Sequence, residues 1–281
     1  MMRSPIILFD SIAMPTLRTT IRDTFLRFGR ETVEFVYSRN CVHCHQQLPS
    51  EAERFQASLS VRVRSRLCAD CFELLSCSVE QACQRCGAAV GPYLDTSEGC
   101  RHCRKDTFAF ERVFALGTYE GPLRECCVRG KQPFQESLTA GLTELLIDAH
   151  QDEWPELNID AVALVPHHWT ERMVRRHLPT ETMSRVIARR LMVPEAVHIL
   201  AKSRRTPAQS SLSPSRRRKN LRNAFRIAGG ARLDGLTILL TDDILTTGTT
   251  ADHVARVLKE AGAKRVFVAV LARGIGTTSE N

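Results

Sequence analysis

The sequence predicts an α/β protein in which a mostly parallel sheet follows a small, cysteine-rich domain. Strand-like apolar runs alternate with helical patterns in the second half of the chain, whereas four CxxC pairs crowd the first half. Strands that alternate with helices favour a parallel sheet with helices on both faces. With 281 residues, the chain can hold one sizeable domain and a smaller one.

The N-terminal residues carry apolar side chains at near-helical spacing through residues 17–38, so they predict an amphipathic helix. We expect three segments in all. These are a helical extension over residues 1–38, a double zinc ribbon over residues 39–108 and the α/β domain over residues 109–281.

The chain is basic, with a formal net charge of +8. Such a charge favours anionic partners, and both phosphorylated metabolites and nucleic acid qualify. No apolar run approaches the length that spans a bilayer. The short apolar piece at residues 6–9 is followed directly by an acid, which is unlike a secretory signal. We therefore expect a cytoplasmic protein with no membrane span.

Eight of the 11 cysteines form CxxC pairs. The pairs are Cys41–Cys44, Cys68–Cys71, Cys83–Cys86 and Cys100–Cys103. A two-residue gap lets both thiolates of one turn reach the same tetrahedral ion, and two such turns complete a Cys₄ site. The pattern therefore predicts two structural Zn²⁺ ions.

Other interpretations of these cysteines are redox dithiols and unligated buried thiols, but a redox CxxC normally occurs once, near a βαβ unit. Pairing of neighbouring turns is preferred because the intervening loops are shorter, and an interleaved arrangement stays open. Three more cysteines are interpreted as structural: Cys77, Cys126 and Cys127. Three histidines beside the turns are interpreted as exposed loop residues because the cysteines fill both sites: His43, His45 and His102.

The α/β domain contains alternating strand-like and helical patterns. Strands are predicted at residues 112–119, 159–165, 236–241 and 265–272, and helices at residues 137–149 and 181–192. No internal repeat is present beyond the CxxC series.

The segment most informative about function is residues 238–250, ILLTDDILTTGTT. An apolar strand stops at Asp242 and Asp243, and a helical pattern starts directly after residue 250. Between them lies a short loop with these candidate ligand-binding residues: Thr246, Thr247, Gly248, Thr249 and Thr250. Parallel sheets bind ligands at such strand ends, and free backbone N–H groups at a helix start favour phosphate.

The two carboxylates accept hydrogen bonds only, so they suit sugar hydroxyls or a hydrated Mg²⁺. An ordinary helix cap needs one polar residue. Two acids and four threonines around one glycine instead indicate a ligand site.

A basic segment at residues 202–226 contains nine Lys or Arg residues and no acid. It predicts a mobile loop that enters a helix near Arg216. Three interpretations remain open: a solvated basic surface, a patch that contacts nucleic-acid phosphates, and a flexible lid that clamps pyrophosphate with arginines.

The 238–250 segment resembles the signature of type I phosphoribosyltransferases, which bind phosphoribosyl pyrophosphate (PRPP). The resemblance implies a phosphoribosyltransferase-like parallel sheet. It also implies that Asp242 and Asp243 contact the ribose hydroxyls, and that Thr246 to Thr250 hold the 5′-phosphate.

A second pattern, T-x-x-Q-x-x-L-S-x-x-x-R-x-x-N-x-x-x-A-F, narrows the resemblance. It is met by Thr206, Gln209, Leu212, Ser213, Arg217, Asn220, Ala224 and Phe225. Together with the cysteine pairs and the DD-x-x-TTG-x-T stretch, it is similar to the ComF family, which joins a zinc domain to a phosphoribosyltransferase domain. The resemblance covers about residues 35–273 and implies an association with DNA uptake in natural competence. It also implies a Mg²⁺ ion bound with PRPP.

One departure follows the strand that ends at Val165. The family usually shows R-x-x-x-R-G-F-N-Q there, and Arg172 and Arg176 match both arginines. Residues 177–180 read HLPT instead of GFNQ, which alters the backbone because glycine is lost and proline is gained. The loop at residues 165–168 still matches the pyrophosphate loop, and we expect His167, His168 and His177 to be surface residues.

Two functions are therefore expected from the sequence. The first is a protein that binds PRPP with Mg²⁺, in which the candidates for the pyrophosphate side are Arg172, Arg204 and Arg217. The second is a DNA-uptake accessory without catalysis, which binds single-stranded DNA or a helicase partner through its zinc ribbons and basic segment. Because residues 177–180 depart from the family pattern, residues 242–250 support PRPP binding more firmly than transfer of the phosphoribosyl group, and the sequence does not identify the acceptor base.

Overall fold

A computed structural model describes residues 40–49, 66–76, 81–168, 177–204, 221 and 223–275. The predicted helix at residues 17–38 lies outside these ranges. In the described ranges, no helix is both long and apolar enough to cross a membrane. The domain boundaries at residues 38 and 108 stay a prediction.

The centre of the fold is a four-stranded parallel sheet with strand order β1-β6-β5-β2. Its strands are β1 (Arg112–Thr118), β2 (Ala161–Leu164), β5 (Thr237–Leu245) and β6 (Arg265–Arg273). The two middle strands are nearly continuous apolar runs that are buried along most of their length. Such runs are typical of parallel strands covered on both faces, so the predicted parallel α/β sheet is confirmed.

Strand β5 is longer than the sequence predicts. We expected it to stop at the acidic pair, but it continues to Leu245, and Asp242 pairs with Val270 of β6. The reason is β6, which runs on to Arg273 and supplies backbone partners as far as Leu245. The acidic pair therefore lies within the last four residues of a strand that is paired with β6.

Five of the described helices contribute buried residues to the core on the first face of the sheet. They are α1 (Ala69–Ser76), α2 (Gly121–Arg129), α3 (Glu136–Ala149), α4 (Trp154–Leu157) and α5 (Pro179–Leu191). Leu146 of α3 and Met183 of α5 are fully buried together with Leu239 of β5. Burying each such side chain contributes about 1.5–3 kcal/mol. Helices α3 and α5 thus seal the first face and fix the sheet edge from one side.

The second face is covered by helix α6 (Thr249–Glu260) and by a small antiparallel sheet of β3 (Leu200–Lys202) and β4 (Phe225–Ile227). Val254 and Leu258 of α6 are fully buried against Leu240 and Val268 of the main sheet. Helices therefore lie on both faces, as predicted. The β3–β4 pair was not predicted, because three-residue strands at the ends of a basic segment leave no periodic signal.

The outer edge of β2 is covered by the chain that follows α5. Val162 N donates to Pro194 O at 3.0 Å, and Ala196 N donates to Val162 O at 2.7 Å. Residues 194–196 thus use both backbone groups of Val162 on the side away from β5.

Candidate functional site

The residues between β5 and α6, which we call the threonine loop (residues 246–250), turn sharply at Gly248. Gly248 caps α6 with a φ of 73°, a left-handed conformation that favours glycine. A Cβ at this position would lie 3.1 Å from Phe108 Cε1. Both its backbone conformation and its packing therefore require glycine. The first N–H groups of α6 have no partner within a regular helix and could bind an anion.

The hydroxyls of the threonine loop are organised around Thr247. Its Oγ1 lies 2.8 Å from Thr249 Oγ1 and accepts a long hydrogen bond of 3.5 Å from Thr249 N. Thr249 is buried, whereas Thr246 is exposed and Thr247 and Thr250 are half-buried. The loop thus presents several hydroxyl donors near one helix start, which suits phosphate oxygens.

The acidic pair lies at the end of β5 with its carboxylates tied to the following backbone. Asp242 Oδ1 accepts a hydrogen bond from Asp243 N at 2.9 Å, and Asp243 Oδ1 accepts one from Ile244 N at 2.8 Å. Burial and the neighbouring charge of Asp243 raise the pKa of Asp242 to about 8. The pair therefore resembles coupled carboxyls that hold one proton near neutral pH.

Lys131, in the connection between α2 and α3, faces this pair. Its Nζ lies 2.8 Å from Asp243 Oδ2. Burial lowers the pKa of Lys131, but the attraction of Asp243 outweighs it and the pKa is raised. Lys131 thus stays cationic beside the acids. No sequence pattern marks Lys131 as a site residue, because only the fold brings it to Asp243.

The loop after β2 lies at the same carboxyl end of the parallel strands as the acidic pair. Val165 N donates to Thr241 O at 3.0 Å, which places residues 165–168 beside the residue that precedes Asp242. Arg204, by contrast, is exposed and follows β3 in the small sheet. The other two candidate arginines, Arg172 and Arg217, lie outside the described residues.

The expectation that the histidines are surface residues is wrong for two of them. His168 and His177 are buried, with 7% and 6% exposure, and His167 is half-buried. His177 Nε2 lies 3.3 Å from Thr139 Oγ1, and burial lowers the pKa of His177. The ring is thus buried against α3, where its Nδ1 lies 3.6 Å from Glu136 Oε1.

The altered segment 177–180 has a structural role. Leu178 precedes α5, and Pro179 occupies its first turn, where the missing N–H costs no hydrogen bond. Thr180 O lies within 3.4 Å of Thr241 Oγ1. The substituted residues thus begin a helix that packs against β5, so the departure from the family pattern does not disrupt the edge that carries the acidic pair.

The eight paired cysteines form two groups, and neighbouring turns combine as preferred. The first cysteine cluster comprises Cys41, Cys44, Cys68 and Cys71, and the second comprises Cys83, Cys86, Cys100 and Cys103. In each, the four sulfurs lie within 4.8 Å of one another. The Sγ atoms of Cys83 and Cys103 are 3.7 Å apart, and those of Cys86 and Cys100 are 3.6 Å apart.

These distances fit zinc. A tetrahedral ion with Zn–S bonds of about 2.3 Å separates its sulfur ligands by about 3.8 Å. Each cluster begins with the same turn: His45 N donates to Cys41 O, and Gly87 N donates to Cys83 O, both at 2.9 Å. Two Cys₄ clusters could therefore hold two structural Zn²⁺ ions, which would be closed to catalysis.

The histidines and the further cysteines near the clusters differ in their burial. His45 is exposed as expected, whereas His43 is half-buried with Nδ1 3.3 Å from Cys71 Sγ. Cys126 and Cys127 are buried in α2. Burial raises the pKa of Cys126 to about 11 and that of Cys127 to about 12, so both remain thiols and fill a structural role. Cys77 lies outside the described residues.

The second cluster lies next to the threonine loop. Phe108 and Phe110 stack with ring centroids 4.5 Å apart, and Asp252 of α6 accepts a 2.8 Å hydrogen bond from Ala109 N. A cavity of about 510 Å³ borders both regions, and its lining includes Lys105, Arg256 and threonines of the loop. The cysteine-rich region thus forms one wall beside the candidate phosphate loop.

The chain is similar in sequence to known proteins. The phosphoribosyl transferase domain family matches residues 181–281, which include the acidic pair and the threonine loop. The chain is 26% identical to Competence protein F of Haemophilus influenzae over 245 residues, or 84% of this chain and 98% of that protein. It is 28% identical to the DNA utilization protein YhgH of Salmonella typhimurium over 68% of this chain and 83% of that protein.

Among solved structures, glutamine PRPP amidotransferase from B. subtilis, complexed with ADP and GMP, is 22% identical. The similarity covers 48% of this chain and 26% of that chain, with a TM-score of 0.33.

Proposed function

This chain belongs to the ComF family of phosphoribosyltransferase-like proteins, and from that premise we propose that it binds PRPP together with Mg²⁺. The observation that carries the proposal is the shared sheet edge. There, Asp242 and Asp243 lie within the last four residues of β5, which leads into the threonine loop and the start of α6.

In the proposed complex, the threonine loop holds the 5′-phosphate. The N–H groups at the start of α6 and the positive end of its dipole favour the anion. The hydroxyls of Thr246, Thr247 and Thr250 donate to the phosphate oxygens. Gly248 permits the left-handed turn that leads the backbone of the loop into α6.

Asp242 and Asp243 would orient the ribose through hydrogen bonds from its hydroxyls. Both carboxylates already accept one backbone hydrogen bond through Oδ1, and Asp243 Oδ2 pairs with Lys131 Nζ. Asp242 Oδ2 would therefore be the main acceptor for a ligand. Carboxylate oxygens also suit Mg²⁺, which usually keeps several waters and binds substrate phosphates. When bound, Mg²⁺ would neutralise charge on the pyrophosphate.

The pyrophosphate would lie toward the loop that follows β2. Residues 165–168 reach the edge beside Thr241, and Lys131 places a cation on the acidic pair. Arg172, Arg204 and Arg217 are the candidates from the sequence for contacts with the pyrophosphate, because guanidinium groups pair well with phosphate oxygens.

Transfer would break the bond from C1′ to the pyrophosphate oxygen, which leaves with the bonding electrons. An acceptor nitrogen would form the new bond to C1′ and then lose its proton. The chain's own residues would contribute position and charge stabilisation. The proposed function is the binding of PRPP, and transfer of the phosphoribosyl group is tested separately.

Calorimetric titration with PRPP and Mg²⁺ tests the proposal. We expect binding by the wild type and a loss of at least about tenfold in affinity for Asp242→Asn/Asp243→Asn, about 1.4 kcal/mol. Glu260→Gln, at the exposed C-terminal end of α6, is the control, because it removes a carboxylate at a distance from the site. A wild-type protein that does not bind would refute the proposal. Pyrophosphate release with one of a panel of nucleobases would identify a transferase.

A second proposal follows from the names of the relatives and from the charge. Competence protein F and the DNA utilization protein YhgH place the relatives in DNA uptake or use, and the chain carries a formal charge of +8. We propose that it also contacts single-stranded DNA, or a helicase that handles it, through the basic segment. DNA affinity should then fall steeply with salt, whereas a flat response would contradict phosphate contacts.

A further inference from the structure

Arg273, the last residue of β6, lies between the second cysteine cluster and the threonine loop. It is buried, with 4% exposure. Its Nε donates to Cys86 O at 2.8 Å, and its Nη1 donates to Leu245 O at 3.1 Å. Nη1 also contacts the carbonyl of Thr246. One guanidinium thus joins a cysteine turn to the two residues that open the threonine loop.

Arginine suits this position for a physical reason. A buried cation is costly unless hydrogen-bond acceptors surround it, and these contacts are backbone carbonyls whose positions follow the main chain. The planar guanidinium can serve acceptors on two sides in fixed geometry, whereas a lysine ammonium is a single point on a flexible stem. Any displacement of Cys86 O therefore acts on the same group that holds Leu245 and Thr246.

The segments around Arg273 leave little room for independent movement. Gly274 N donates to Leu245 O at 2.8 Å, and a Cβ on Gly274 would lie 3.0 Å from Thr246 Cγ2. On the cysteine side, Arg85 donates to Glu98 O at 2.9 Å and to Asp106 O at 2.8 Å. The second cluster and the threonine loop are thus joined by close packing as well as by Arg273.

Cys86 is also a member of the second cluster, with Sγ 3.6 Å from Cys100 Sγ. A metal on the four thiolates would fix the turn that carries the Cys86 carbonyl. The first cluster makes a different contact, in which Arg129 of α2 donates to His43 O at 3.1 Å. The backbone of the second cluster thus contacts an arginine that reaches the threonine loop, whereas the backbone of the first cluster contacts an arginine of α2.

We propose that Arg273 is a positioning residue that makes the phosphate affinity of the threonine loop depend on the metal state of the second cysteine cluster. The proposal rests on the proposed function, because it takes this loop as the phosphate site. When metal is lost from the second cluster, the Cys86 carbonyl can move away from Arg273, which then loses an acceptor. Because the guanidinium is no longer held in place, the carbonyls of Leu245 and Thr246 lose a fixed donor. The threonine loop then samples conformations in which its N–H groups no longer point toward one phosphate position.

The test uses the full chain and two readouts. The first is amide hydrogen exchange of residues 245–249 without ligand. The second is the Kd for PRPP with Mg²⁺. Cys100→Ser removes one ligand of the second cluster, and Arg273→Met removes the guanidinium while keeping an unbranched side chain. For each variant alone we expect faster exchange of the loop and a Kd raised on the order of tenfold.

The combination of the two changes decides the coupling. If Arg273 transmits the effect, Cys100→Ser should add little to Arg273→Met in either readout. Arg273→Met should also retain zinc in both clusters. A full additional effect of Cys100→Ser in the Arg273→Met background would overturn the proposal, as would unchanged loop exchange in Arg273→Met. If Arg273→Met does not fold, Arg273→Lys keeps the buried charge without the fork and is tested in the same way.

Two controls match the variants. Arg265→Met removes an arginine from the other end of β6, where it pairs with Glu111, and Cys44→Ser removes a ligand of the first cluster. Neither should speed exchange at residues 245–249. If the wild type does not bind PRPP, the proposed function fails, and the exchange data alone still decide whether Arg273 couples the cluster to the loop.

Discussion

Lys131 Nζ lies 2.8 Å from Asp243 Oδ2, so the acidic pair at the end of β5 has a cationic partner from a distant part of the chain. Two adjacent carboxylates without such a partner would repel the phosphates of PRPP. The ion pair is partly exposed to solvent, which weakens it. Its main effect is to balance the charge of the site while leaving Asp242 available to a ligand.

This relationship predicts the effect of replacing Lys131. Lys131→Met should weaken PRPP binding by about five- to tenfold, or roughly 1 kcal/mol, because the site gains a net negative charge. Lys131→Arg should retain most of the affinity. Titration calorimetry measures both, with Lys264→Met as the control for loss of a lysine elsewhere. Equal affinity for the Met variant and the wild type would contradict the assigned role.

The raised pKa of Asp242 predicts how binding depends on pH. Because the pKa is about 8 in the folded protein, Asp242 is largely protonated at neutral pH. A ligand or Mg²⁺ that needs its carboxylate must release that proton. PRPP affinity should therefore rise as the pH increases from 6 to 9, by at most about tenfold per pH unit below the pKa. Calorimetry in buffers of different ionisation enthalpy detects the proton, and Asp242→Asn should abolish the dependence.

The same shift predicts the pH dependence of stability. The folded state binds more protons than the unfolded state between the ordinary aspartate pKa of 3.8 and the raised value of about 8. Asp242 therefore destabilises the fold progressively as the pH rises through this window. Denaturant unfolding at pH 5 and pH 8 should show a smaller loss for Asp242→Asn than for the wild type. A larger loss in the variant would oppose this prediction.

Gly248→Ala tests the geometry of the threonine loop. Alanine must adopt a φ of 73° and place its Cβ 3.1 Å from Phe108 Cε1. We expect the free energy of unfolding to fall by about 1–2 kcal/mol from the backbone alone, and PRPP binding to weaken as the loop shifts. Gly229→Ala is the matched control, because its φ is 63° and nothing lies within 4 Å of the added Cβ. It should show the backbone effect without the loss of affinity.

Metal analysis should find close to two zinc equivalents per chain, one for each Cys₄ cluster. A zinc chelator should lower the melting temperature, because metal binding supplies folding free energy to small domains. Cys83→Ser should lose one equivalent. Cys126→Ala removes a buried cysteine outside the clusters and should keep both. A folded chain without metal would refute the assignment.

Sequence predicted those parts of the fold that local patterns encode. The strands β1, β2 and β6, the helices α3 and α5 and the loop at Gly248 each carry their own periodicity or turn residues. Lys131 and Arg273 could not be found in this way. Their roles depend on which strands and loops the fold brings together, and neither residue differs locally from an ordinary surface lysine or strand-end arginine.

The histidines show a different limit of sequence reasoning. His177 is polar, so composition favours exposure, but tertiary packing buries it against Thr139. The end of β5 was also predicted too early, because acids disfavour strands. Pairing with β6 overrides that preference as far as Leu245.

The chain along the outer edge of β2 has a consequence for self-association. An open strand edge is a template to which a strand of another molecule can add. Residues 194–196 occupy both free backbone groups of Val162, so the sheet cannot be extended into a second copy at this position. Two molecules of this protein would have to meet through side chains there, and the parallel sheet ends within each chain at β2.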